Sequence, residues 1–348
     1  MIPEVYSTGV NWETISKMST FLHLESRIFD LKGGGSFDSV AMDVFRFQYD
    51  NNNVYRKFCD ALGRTPGIVT VIEDIPFLPI ELFKSHRIVS FPGSEKYVFT
   101  SSGTTGSIPS RHFVGDLAIY EHSFMEGFRM FYGEPADYCI LALLPAYLER
   151  QGSSLVYMAN VLIEASGHPD GGFYLDELEV LSETLKRLMA KGQQVLLLGV
   201  SFALLEFAER FPMALQNTII METGGMKGRR REMVRAELHQ ILCSAFQQEV
   251  IHSEYGMTEL FSQAYSRGDG LFAAPPWMRL LIRDSNDPLD VIGEGRTGGI
   301  NIIDLANLYS CSFIATQDLG KLHPGGFFEV LGRFDHSDVR GCNLMVEG

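Results

Sequence analysis

Between Asp176 and His252 the chain alternates amphipathic stretches with short runs that are apolar at almost every position. The runs are Val195 to Val200 (VLLLGV), Thr218 to Glu222 (TIIME) and Val250 to His252. A strand without a polar face must be covered on both sides, and strands joined through helices run parallel. The expected fold is therefore α/β, with parallel sheets covered by helices and ligands bound at the carboxyl ends of the strands. The first helix of the series should be capped by Asp176 with Glu179 three residues on. It carries Leu178, Leu181, Leu185 and Leu188 at helical spacing and stops at Gly192. The next runs from Ser201 to before Pro212, and a third spans about Arg231 to Gln247.

Upstream, the first hundred residues read as mainly helical. Lys96 to Thr100 (KYVFT) reads as a strand, Asp116 to Phe131 as a helix and Tyr138 to Leu144 as a second apolar strand. After about Gly268 the texture changes to short apolar runs divided by Gly, Asn, Asp and Pro, which suggests a smaller β-rich subdomain. The expected division is an α/β core over 1–267, including the helical amino-terminal segment, and a β-rich subdomain over 268–348.

Twenty-nine basic against forty-three acidic side chains leave a net charge of −14, which argues against nucleic acid as a partner. An anionic substrate such as ATP would need local donors or a metal ion. No stretch approaches the roughly 18 apolar residues of a membrane span. The start of the chain, MIPEVYSTGVNWE, lacks a basic segment followed by an apolar run, and the five cysteines form no CxxC pair. A reduced, cytoplasmic setting is expected.

Three segments could carry chemistry. Ser101 to Ser107 (SSGTTGS) follows a strand and offers hydroxyls and glycine amides to a polyphosphate, although it also reads as a plain turn. No Lys-Ser or Lys-Thr follows its second glycine, so it is not a P-loop. Tyr255-Gly256-Met257-Thr258-Glu259 follows another strand. Glu259 could ligate magnesium, Thr258 could meet phosphate and Tyr255 could stack on a base; the alternative is a helix start. Asp318-Leu319-Gly320 and Gly332-Arg333-Phe334-Asp335 pair an acid suited to ribose hydroxyls with a cation, or are surface turns.

SSGTTG, YGMTE, QDLG and GRFD, in that order, resemble the signature motifs of adenylate-forming enzymes over roughly 97–343. The segment METGGMKGRRREMVRAEL is similar to the branch that holds acyl-protein synthetases (LuxE-like) and phenylacetate-CoA ligases. The resemblance implies that Ser102, Gly103, Thr104, Thr105 and Gly106 hold the ATP phosphates, and that Gly225 and Tyr255 flank adenine. Thr258 would contact the α-phosphate, Glu259 would bind Mg2+, and Asp318 with Arg333 would take the ribose. It implies activation of a carboxylic acid, fatty or otherwise hydrophobic, to acyl-AMP with release of pyrophosphate, then transfer to a thiol.

Two departures from the pattern stand out. The family's loop usually continues Gly-x-Pro-Lys, whereas here Gly106-Ser107-Ile108-Pro109-Ser110-Arg111 has one extra residue and no lysine, leaving Arg111 as the substitute. The sequence also ends at Gly348, so the resemblance implies a short form without the mobile carboxy-terminal domain and its lysine, as in acyl-protein synthetases. Those enzymes carry the acyl group on a cysteine near the carboxyl terminus, which corresponds to Cys342 in Arg340-Gly341-Cys342-Asn343. Cys342 also reads as a small buried hydrophobe. The thiol acceptor would be Cys342, CoA, or a carrier or reductase protein. Arg150 and the helix Ser201 to Phe211 are candidates for the border of an acyl pocket. His112 and His252 are isolated and receive no role. The alternatives are a phenylacetate-type acyl-CoA ligase and a non-catalytic nucleotide- or acyl-binding module acting through a partner.

Overall fold

The computed structural model describes residues 22–101, 108–145, 152–224 and 233–334. Its strands are β1 (Leu78–Pro79), β2 (Tyr97–Thr100), β3 (Arg111–Val114), β4 (Cys139–Leu143), β5 (Gly172–Tyr174), β6 (Val195–Val200), β7 (Thr218–Thr223) and β8 (His252–Tyr255). They continue with β9 (Ala264–Ser266), β10 (Leu271–Ala273), β11 (Met278–Arg283), β12 (Val291–Ile292), β13 (Thr297–Asp304), β14 (Phe313–Leu322) and β15 (Phe328–Arg333). One path of strands runs β5-β4-β6-β7-β8-β9-β10-β15-β14-β13-β11-β12, with β1 added beside β14; β2 and β3 form a separate hairpin.

Pairing is parallel from β5 through β8 and antiparallel from β8 to β12. The expected α/β fold is therefore present, with a β-rich carboxy-terminal part. β4 and β6 are buried along their whole length, as two-sided coverage requires. Helix Leu178–Ala190 covers the parallel half through Leu178, Leu181, Leu185 and Leu188, all buried.

Three sequence expectations shift. The helix expected to be capped by Asp176 starts at Leu178, because the carboxylate of Glu177 turns back to accept from the amides of Leu175 (3.1 Å) and Asp176 (3.3 Å). The helix expected over 231–247 spans Arg235–Phe246 among the described residues. The last parallel strand is His252–Tyr255 rather than Val250 to His252. Its polar Ser253 and Glu254 are buried, so apolarity did not mark it. Tyr255 thus ends the strand and lies within the ladder.

The amino-terminal helices pack on the antiparallel part. Helix Phe37–Asn51 sends Gln48 into the interior, where its amide donates to Asn307 O (3.0 Å), Leu308 O (3.1 Å) and Ser312 Oγ (3.1 Å) and accepts from Ser312 N (2.9 Å). Asn52 caps the following helix, Asn53–Ala61, and donates to Ser310 O (3.0 Å). Tyr55 stacks on Phe313 at 5.9 Å between centroids. These buried amides are fully used, which is the condition for keeping polar groups in a core.

Candidate functional site

At the end of β8 the Tyr255 hydroxyl donates to Asp318 Oδ2 at 2.7 Å, joining the last parallel strand to the middle of β14. Both residues are buried. The Tyr255 ring lies edge-on to Phe272 and Phe328, each 5.9 Å between centroids. Asp318 sits opposite Arg333 in the β14–β15 ladder, and Arg333 Nε lies 3.5 Å from its Oδ1. The guanidinium is largely exposed, so this pair adds little stability and leaves the cation available to a ligand.

The backbone then turns at Met257–Leu260, with Leu260 N donating to Met257 O (3.0 Å), and no helix starts there. The turn is held from three sides. His112 Nδ1 lies 2.8 Å from Thr258 O; a carbonyl only accepts, so Nδ1 carries the proton. Asn307 Nδ2 donates to Glu259 O at 2.7 Å. Asp304 accepts from the amides of Phe261 (2.8 Å) and Ser262 (2.9 Å) and from Ser262 Oγ (2.6 Å).

Glu259 is 6% exposed. Burial pushes its carboxyl up, against a hydrogen bond from Ser110 and the charges of Arg333 and Lys84. Ser110 closes the β2–β3 hairpin: its amide donates to Ser101 Oγ (2.9 Å) and its carbonyl accepts from Ser101 N (3.1 Å). The stems of the hydroxyl-rich loop therefore meet the glutamate of YGMTE. A partly desolvated carboxyl with so few donors suits a divalent cation that arrives with a polyphosphate. Among the described residues no three His, Cys, Asp or Glu side chains gather as a ready-made metal cage.

Two further carboxyls sit at the carboxyl ends of β7 and β8. Burial raises Glu222, but His239, Arg235 and Ser253 outweigh it and hold the group below the usual range; Arg235 Nε is 3.0 Å away. Among the described residues no cation pairs with Glu254. Burial, and secondarily the charge of Glu222, push it up to about 7 against a hydrogen bond from Thr223 Oγ1. Its Oε1 also lies where a side chain at Gly256 would have to go.

Tyr255, Thr258, Glu259, Asp318 and Arg333 are thus brought together. Arg111 is not: it is exposed, leans on the Phe113 ring (5.4 Å), and alternates in β3 with His112, which faces Thr258. The helix Ser201–Arg210 is core at Phe207, which stacks on Phe246 at 5.6 Å. Ser102, Gly103, Thr104, Thr105, Gly106, Arg150, Gly225 and Cys342 lie outside the described residues.

Sequence reasoning missed Ser110 and His112. His112 is fully buried, stacked on Phe261 at 4.6 Å, and held down to about 4 by burial, partly offset by its bond to Thr258. Its place two residues before the end of a strand leaving the loop was the available signal.

A family model described as acyl-protein synthetase, LuxE, matches residues 24–132. The long-chain-fatty-acid–luciferin-component ligase of Vibrio harveyi is 25% identical over 327 residues, 87% of this chain and 85% of that protein. Its counterpart in Aliivibrio fischeri is 22% identical over 340 residues, 89% and 87% of the two chains. Among solved structures, 2-hydroxyisobutyryl-CoA ligase in complex with 2-HIB-AMP and CoA superposes with a TM-score of 0.62 at 12% identity, covering 86% of this chain and 70% of that one. ATP-bound MatB from Rhodopseudomonas palustris gives 0.53 at 15% identity and covers 70% of this chain; the chain spans about half (49%) of MatB.

Proposed function

We propose that this chain is an acyl-protein synthetase of the adenylate-forming type, which activates a hydrophobic carboxylic acid with ATP and passes the acyl group to a thiol; the similarity to the LuxE model and to the two luciferin-component ligases supports this reading. The observation that carries this reading is the meeting of Glu259, Ser110, Tyr255, Asp318 and Arg333 where β8 ends. No scaffold needs loop stems bearing hydroxyls, a desolvated carboxylate and a second buried acid beside an exposed cation in one place.

In this reading Asp318 accepts from the ribose hydroxyls, held by Tyr255 and flanked by Arg333. Thr258 and the loop Ser102 to Gly106 contact the phosphates, and Gly225 borders adenine. Glu259 would hold Mg2+, which supplies positive charge to the phosphate oxygens when bound. The substrate carboxylate attacks the α-phosphorus; the bond to the β-phosphate oxygen breaks and pyrophosphate leaves. A thiolate then attacks the acyl carbonyl, the bond to AMP breaks, and a thioester forms. Residues 1–267 act as the α/β core and 268–348 as the subdomain that contributes Asp318 and Arg333.

The acid is a long-chain fatty acid on the analogy of the named Vibrio and Aliivibrio ligases, and the first thiol is Cys342. CoA is the second candidate, supported by the likeness to a ligase solved with CoA. Pyrophosphate exchange into ATP, measured over a panel of acids, tests activation; absence of exchange with every acid refutes it, and ATP binding without exchange identifies a binding module instead. Mass spectrometry tests the second step: an acyl adduct lost in Cys342→Ala supports the thioester, and an unchanged adduct removes Cys342 from the reaction.

A further inference from the structure

Thr258 and Glu259 occupy the turn between Met257 and Leu260, which closes on itself through one hydrogen bond, from Leu260 N to Met257 O (3.0 Å). Carbonyls in a turn beside a crevice are ordinarily left to solvent. Here two consecutive ones are taken by buried side chains from distant parts of the chain. His112 of β3 donates from Nδ1 to Thr258 O at 2.8 Å, and Asn307, in the short 3-10 helix Leu305–Tyr309, donates from Nδ2 to Glu259 O at 2.7 Å. Both residues are fully buried.

Neither side chain suits its surroundings on grounds of stability alone. His112 lies between the Phe261 ring, stacked at 4.6 Å, and the Phe83 ring, edge-on at 5.8 Å, an environment that would accept a phenylalanine. With the proton on Nδ1, Nε2 can only accept, and it meets no donor among the described residues. Asn307 repeats the pattern: its amide nitrogen is used on Glu259 O, and its Oδ1 has no partner among the described residues. A buried polar atom without a partner destabilises the folded chain. Two side chains with the same defect, gripping adjacent carbonyls of one turn, point to a task at that turn.

We propose that His112 and Asn307 are positioning residues, which fix the backbone of Thr258 and Glu259 in a ligand-ready geometry and lower the stability of the fold in doing so. This rests on the proposed adenylation chemistry, in which Thr258 meets the α-phosphate and Glu259 the Mg2+. Both side chains act through the turn rather than on the nucleotide. A displacement of about an ångström in such contacts slows a reaction by orders of magnitude, so rigidity at this turn outweighs two unpartnered atoms.

The test separates function from stability with three variants. His112→Phe keeps a ring between Phe261 and Phe83 and removes both nitrogens; His112→Asn keeps a donor near the place of Nδ1 and gives up the ring packing; Asn307→Leu removes the grip on Glu259 O. Each is compared with wild type by melting temperature, by hydrogen–deuterium exchange of the amides of 257–260, and by pyrophosphate exchange. His112→Phe should melt at or above wild type, exchange the turn amides faster, and lose about tenfold or more in kcat/KM for ATP, with the KM for the acid within about twofold. His112→Asn should melt lower yet retain more activity than His112→Phe, an order that a purely structural role does not give. Asn307→Leu should follow His112→Phe in turn exchange and in activity. Activity that tracks melting temperature across the variants, or wild-type turn protection and kcat/KM in His112→Phe, overturns the proposal while leaving the adenylation reading intact. A wild type without pyrophosphate exchange for any acid refutes the adenylation reading and, with it, this role for the two side chains.

Discussion

Replacing Glu254 by Gln should change how stability depends on pH. Glu222 and Glu254 lie on neighbouring strands, both buried, yet Arg235 and His239 hold the first ionised while the second is pushed from an ordinary 4.5 up to about 7. Burial is the main cause, and Glu222 adds a like charge. Below the ordinary value both folded and unfolded chains carry the proton on Glu254. As pH rises, the unfolded chain releases it while the folded chain retains it, so stability is lost until the folded group itself ionises near 7. Each pH unit in that interval costs about 1.4 kcal/mol, so the passage from 4.5 to about 7 costs on the order of 3 kcal/mol. A glutamine keeps an acceptor for Thr223 Oγ1 and has no proton to lose. Urea unfolding from pH 4 to 8, followed by fluorescence of the buried Trp277, gives the assay. The stability of Glu254→Gln relative to wild type should climb by about 3 kcal/mol across that range and level off above neutrality. Two stability curves running parallel over the whole range would refute the reasoning.

Three shorter predictions follow from the same site. His112 should remain neutral, with the proton on Nδ1, in long-range proton–nitrogen spectra down to about pH 5; a ring that charges near its ordinary 6.5 contradicts the buried contact with Thr258. Gly320 of QDLG faces the ladder so closely that an added Cβ would meet Glu329 O at 2.6 Å and Ile300 Cδ1 at 2.5 Å. Gly320→Ala should therefore lower stability by about 1–3 kcal/mol, read as a fall in Tm, and an unchanged Tm counts against that packing. Asp318→Asn should raise the KM for ATP in pyrophosphate exchange by about tenfold, since a charge-assisted hydrogen bond becomes a neutral one; an unchanged KM removes Asp318 from nucleotide binding.

How far the sequence could be read depended on what each residue's environment demanded. β6 and β7 were visible because strands covered on both faces must be apolar, and β4 for the same reason. β8 was placed two residues early because its buried side chains are Ser253, Glu254 and Tyr255, which satisfy their polarity through neighbours distant along the chain. Local pattern carries no trace of such partners. The same holds for Gln48, a helical glutamine that looks like a surface residue until its bonds to Asn307 and Ser312 are seen. Glu259 and Asp318 stood out by residue type within their own segments, but only the family resemblance put them in one site, since nothing in their spacing announces that strands so far apart in sequence would bring them close. His112 was given no role because it takes its meaning from its contact with Thr258, and it belongs to no recognisable motif.

The site lies where parallel pairing ends at β8 and antiparallel pairing begins with β9. Its geometry is only as well defined as the elements on either side. Tyr255 is fixed by its pairing with Ala264 of β9 and by the Phe272 and Phe328 rings. On the other side Asp318 is fixed by β14, and β14 is braced by the amino-terminal segment through β1, Gln48 and Tyr55. The Tyr255–Asp318 hydrogen bond spans the gap between them. The amino-terminal segment therefore does more than cover apolar surface: it fixes the strand that carries Asp318, and through Phe83 and His112 it also steadies the turn that carries Glu259. One segment thereby sets the distance between the two ends of the proposed nucleotide site, which is the dimension a bound ATP would have to match.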